Sequence, residues 1–195
     1  MPLDKNLLRE HVDDTNPLSA LLKGHLWVES CMNRGISIAA PHASELNTDR
    51  VTFALKLNVA LAFGAVPLVF GPTLRKLNSV RNSAAHRLEY SMTADEIESL
   101  VATMPDPFAS VIGANDPPAE RLSTYLNALI FSLEVFNTQR EYERDHAEVL
   151  SLYRAGVIVH KAFGKSDSEA DALARKTANP PAPPDIDAVW LPDPE

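Results

Sequence analysis

The 195 residues carry 18 lysines and arginines against 26 aspartates and glutamates, a formal net charge of −8. That balance excludes broad, non-specific binding to nucleic acid. With 45% hydrophobic and 23% charged residues and a single cysteine, Cys31, the composition is that of a soluble globular domain without an internal disulfide, expected in a reducing, cytoplasmic setting.

The N-terminal "MPLDKNLLREHVDD" has charges where a signal peptide needs an apolar run. Next, "PLSALLKGHLWVESCMNRGI" spaces Leu18, Leu22 and Leu26, and Leu21, Val28 and Met32, as a helix does, with Pro17 at its start. "DRVTFALKLNVALAFGA" puts Val51, Leu55, Leu57, Leu61 and Ala62 on one broad apolar face, with Asp49 as its expected cap. "LNVALAFGAVPLVFG" is the longest apolar stretch, but Asn58, Gly64 and Pro67 interrupt it and it is too short to span a bilayer. A third helix is expected from about Thr73 to Tyr90, and "TADEIESLVATM" opens on the capping box Thr93–Glu96.

From Pro118 to about Phe163 the pattern predicts one long helix or two joined ones. Leu122, Leu126, Leu129, Leu133 and Phe136 line its first half, and Val149, Leu152, Tyr153 and Val157 its second. The expected fold class is all-α, a helical bundle over residues 1–165. Residues 166–195 then form a short helix, capped by Ser166 toward Glu169, and an extended, proline-rich acidic tail. Trp190, between Val189 and Leu191, is an apolar anchor near its end.

Charge is unevenly spread. Residues 50–88 carry Arg50, Lys56, Arg75, Lys76, Arg81 and Arg87 and no acid at all. Such an island suits a phosphate, and Arg75, Lys76 and Arg87 are its candidate RNA contacts. Inside it lies "LRKLNSVRNSAAHRLEY". On a helix with Ala84 at zero, Leu77, Val80 and Leu88 fall within about 40° of it, a core-facing stripe. Asn82 and His86 then lie near about 160° and 200°, stacked on the opposite face, while Arg81 stands on the flank near about 60°.

Asn82 and His86 therefore point away from the chain's own core, toward solvent, substrate or a second copy. A two-fold dimer packed on this face would gather two arginines and two histidines in one cleft. The chemistry that suits the cleft is RNA backbone cleavage. A histidine takes the 2′-hydroxyl proton or protonates the leaving 5′-oxygen. An arginine fork stabilises charge on the phosphate oxygens, and an asparagine amide positions either partner. No metal or other cofactor is required when the 2′-hydroxyl is the nucleophile.

The segment "LRKLNSVRNSAAH" resembles the signature of the HEPN superfamily, in which an arginine and a polar residue precede a histidine by a few positions. Its upstream helix "RVTFALKLNVALAFGAV" is similar to that of the mannitol operon repressor branch. The likeness spans about residues 18–100. It implies a helical bundle that dimerises with its motifs facing each other, and in many members a metal-independent ribonuclease, toxins among them. Carried over, Arg81 and His86 would be the catalytic pair and Asn82 the supporting polar residue. An alternative is a non-catalytic regulator working through a regulatory protein partner, and a third is one half of a toxin–antitoxin pair, with an antitoxin as partner. The remaining histidines show no ligand spacing, and "EYERDHAE" reads as a solvated, salt-bridged helix face.

Overall fold

Short-range signals decide where most of the helices begin. The computed structural model describes residues 4–86 and 89–186. It contains α1 (Lys5–Val12), α2 (Pro17–Ala39), α3 (Phe53–Ala62), α4 (Gly71–Ala85), α5 (Ala94–Val101), α6 (Pro118–Asp145), α7 (Ala147–Ala162) and α8 (Asp167–Thr177). Among the described residues every regular element is helical, so the chain is all-α.

Asp4 and Asn16 accept the first backbone N–H groups of α1 and α2 through their side chains. Thr93 with Glu96, and Ser166 with Glu169, close complete capping boxes, each satisfying two orphan donors. Helix α3 starts later than its apolar pattern predicts, because Thr52 rather than Asp49 caps it. It ends at Gly64, whose φ of 63° lets Gly64 N–H reach Leu61 O and Ala65 N–H reach Ala60 O. This paired closure needs a left-handed residue, and it turns the chain sharply into α4.

Helix α4 runs from Gly71 to Ala85 and not to Tyr90. Asn82 and Ser83, residue types of low helix propensity, stand in its last turn. The long helical stretch after Pro118 divides at His146, which precedes α7.

Residues 4–137 belong to one compact unit and Thr138–Asp185 form another. The boundary expected at residue 165 falls between α7 and α8, inside the second. In the first unit, α2 and α6 are the most deeply buried elements. Leu122, Tyr125, Ala128, Ile130, Phe131 and Glu134 are buried all round α6, the mark of a central helix. On α2, Leu21, Val28 and Met32 are buried as their spacing predicts, but Leu22 and Leu26 are 38% and 63% exposed. The predicted face was therefore too broad.

A polar clamp joins the two central helices. Arg34 pairs with Glu134, a carboxylate only 5% exposed. Asn137 donates from its amide to Cys31 O at 3.0 Å and lies 3.5 Å from Glu134. Beside it, a Cβ on Gly35 would sit 2.6 Å from Ala65 O, so the backbones pass at a distance that excludes alanine. Burial, reinforced by Glu134, pushes the Cys31 thiol well above its ordinary range, leaving it an inert apolar filler.

In the second unit α8 packs on α7, with Ala174 against Gly156. Asp171 accepts from Tyr153 and, at 3.0 Å, from Arg175, whose guanidinium covers the Tyr153 ring. Tyr142 donates to Pro181 O at 2.7 Å, tying down the chain that follows α8. Trp190 and its neighbours lie outside the described residues.

Removing one member of a buried ion pair strands the other. Glu134→Ala is expected to lower stability by about 3–5 kcal/mol, read from the urea midpoint. Glu134→Gln, which keeps an acceptor for Arg34 and a partner for Asn137, should lose less.

Candidate functional site

Helix α4 is held in place by its apolar side. Thr73, Leu74, Leu77, Val80 and Ala84 are buried, and Thr73 donates from its hydroxyl to Thr103 O, beyond the end of α5. With that stripe fixed, the opposite face must look outward. Arg75, Asn78, Ser79, Asn82, Ser83 and His86 line an open trough along it, at the three- and four-residue spacing of one helix face. No carboxylate is among these lining residues.

The structure thus gathers three of the candidate residues, Arg75, Asn82 and His86, on one surface. His86 is the residue just past the helix end, with φ −98° and ψ 3°, and its side chain is exposed. Arg81 does not line the trough, as its position on the flank required. Its guanidinium nonetheless donates to Asn82 Oδ1 at 3.3 Å, so the asparagine connects the flank to the trough. Lys76 is half-buried on the other flank. Arg87 and Leu88 lie outside the described residues.

The acid-free island is smaller in space than along the chain. Lys56 is 2% exposed and pairs with Glu29 at 2.6 Å, so the ammonium is neutralised under α3 and offers no surface charge. Arg75, Lys76 and Arg81 on α4 and the exposed Arg50 remain.

One residue beneath the trough escaped the motif. His25 on α2 is 4% exposed, stacks on Phe53 with ring centroids 4.3 Å apart, and places Nε2 3.4 Å from Asn78 Oδ1. Burial holds its imidazole below the ordinary value of 6.5; the Asn78 contact and Glu29 oppose the shift, while the charges of Arg81 and Lys56 add to it. A neutral ring protonated at Nε2 donates to the Asn78 carbonyl oxygen and leaves the amide nitrogen as a donor for the trough. No local signal in the sequence names a partner 53 positions away.

Among the described residues no group of three His, Cys, Asp or Glu side chains is placed to hold a metal ion. No helix there is long and apolar enough to cross a membrane. The chain matches no family model, and neither a curated protein nor a solved structure matches it significantly.

The buried His25 makes stability pH-dependent. Its folded value is lowered, so the unfolded chain binds the proton first as pH falls. The contribution is complete above about 6.5 and is lost as pH drops below it toward the folded value. Denaturant melts at pH 7 and pH 5 should show a larger loss for the wild type than for His25→Gln, which keeps an amide donor toward Asn78.

Proposed function

We propose that this chain is a HEPN-like, metal-independent endoribonuclease that acts in the cytoplasm as a homodimer joined along the α4 face. The observation that carries this reading is the trough itself. It presents an arginine, two asparagines and a histidine on one exposed face, with Arg81 tied to Asn82 and no acid among the lining residues.

On this reading the 2′-oxygen attacks the adjacent phosphorus as a base takes its proton. The bond to the 5′-oxygen breaks as an acid protonates it, leaving a 2′,3′-cyclic phosphate and a 5′-hydroxyl. His86 serves as the base or the acid. Arg81 clamps the phosphate oxygens with Arg75 beside it, and Asn82 positions the group between them. One trough holds one imidazole while the reaction uses a proton acceptor and a donor. A second copy across a two-fold axis supplies the other His86. Leu22 and Leu26 flank His25 on α2, and with Leu55 on α3 they are exposed apolar side chains suited to an interface beside a polar trough.

A non-catalytic regulator resembling the mannitol operon repressor is the second reading. It is favoured by the openness of the trough, which as a single copy has no walls to exclude water, and by the place of Arg81 on its flank. A regulatory protein would then cover the α4 face.

Purified protein incubated with RNA in EDTA separates the two. Cleavage should yield 2′,3′-cyclic phosphate ends, leave DNA of the same sequence intact, and fall by about 10²–10⁴-fold in His86→Ala. Intact RNA with the wild type, or equal cleavage by both proteins, would sink the enzyme reading.

A further inference from the structure

Helix α7 has one side covered and another bare. It meets α8 through Tyr153 and Gly156. Elsewhere on its surface Leu152 is 55% exposed, Val159 52%, and Phe163, just past the last turn, 82%; Ala155 and Ala162 are exposed too. Leu152, Ala155, Val159 and Ala162 follow the three- and four-residue spacing of a helix-packing seam. The pattern had placed Leu152 in the core with Tyr153 and Val157, and its exposure corrects that expectation. A continuous apolar seam on a polar chain marks an interaction surface.

The second unit also has little interior of its own. Its buried apolar side chains are Leu150, Ala170, Ala174, Ala178 and Pro180, nearly all of them small. Burying the α7 seam would add two large aliphatic side chains and a phenyl ring to that small interior.

We infer that the α7 seam is a self-association surface, occupied by the same helix of a second copy in antiparallel orientation. The charges on the helix choose this occupant. Its first turn carries the exposed Glu148; its last turn carries His160 and Lys161, the latter paired with Asp167 at 2.8 Å, and the exposed Lys165 stands just beyond. A parallel pair would set like charges against each other. An antiparallel pair sets each Glu148 toward the basic end of its partner and opposes the two helix dipoles. The alanines alternate with Leu152 and Val159, so each large side chain meets a small one and the two helices can approach closely. The surface is distinct from the α4 face and does not rest on RNA cleavage.

The test uses the full chain. Sedimentation of the wild type should show self-association at micromolar concentration. Val159→Glu with Phe163→Glu, both at exposed sites, should keep the helical circular dichroism and raise the dissociation constant by roughly a hundredfold or more. Glu148→Lys should weaken association, and adding Lys165→Glu should restore it. Ala155→Cys supplies a thiol on the seam, since native Cys31 is buried. A short bismaleimide should join two Ala155→Cys chains and fail in the Val159→Glu, Phe163→Glu background. Absence of that crosslink, or unchanged association in the double variant, overturns the inference whatever the RNA assay shows. Capture of a different protein on the seam overturns it equally.

Discussion

The placement of the α4 face depends on a carboxylate that should not be where it is. Glu134 is 5% exposed in the middle of α6, and stripping water from such a group costs several kcal/mol unless a cation and hydrogen bonds replace it. Arg34 and Asn137 do so, and Asn137 also holds Cys31 O on α2. The requirement is directional. Sliding α2 along α6 by one turn would leave Glu134 without its partner and drive Gly35 from the close approach it alone permits. The clamp therefore fixes the register of two central helices, which apolar packing alone would leave looser. From α2 the order passes through His25 to Asn78 and so to the trough on α4.

How much of this was legible in the sequence follows from the range of each interaction. The capping boxes at Thr93 and Ser166 act over three residues, and both were readable. So was the division of α4 into Leu77, Val80 and Ala84 on one side and Asn82 and His86 on the other, since 100° per residue is a property of the backbone. What composition and spacing could not carry was pairing across the fold. Lys56 read as a surface cation until Glu29, 27 positions away, neutralised it. Arg34 and Glu134 are 100 residues apart. Leu22, Leu26 and Leu55 read as core because an apolar residue at helical spacing says which face it shares, not whether another helix arrives to cover it. Termini failed because two residues of cap type precede α3, and the structure uses Thr52; residue type alone does not choose between them.

The electrostatics resolve on a similar scale. A net charge of −8 and a candidate anion-binding surface are compatible because exposed charges are screened beyond about 8–10 Å at physiological salt. On the proposed reading, a phosphate on α4 would meet Arg75 and the amides of Asn78 and Asn82 in the trough, with Arg81 on its flank. Lys56 is already spent on Glu29, and that matters for the reading of the site. A smaller cluster discriminates by geometry and hydrogen bonding more than by bulk attraction, while the acidic remainder of the chain opposes the indiscriminate binding that a uniformly basic surface would give.

The two self-contacts argued for this chain differ in physical kind, and the difference bears on how they would work together. The α4 face is polar; in the proposed dimer its arginines would repel their own images across a two-fold axis until a phosphate lay between them. Such a face would make a weak contact when empty and a stronger one when loaded. The α7 seam is apolar with complementary ends, and needs no ligand. A contact of that kind raises the local concentration of α4 faces without adding a single group to the site, and a weak encounter between sites gains most from such linkage. Two separate isologous contacts on one chain also extend an assembly beyond a pair unless their axes close it into a point group. If both contacts form, the apolar seam would govern how many copies meet, and the polar trough what they do when an anion arrives.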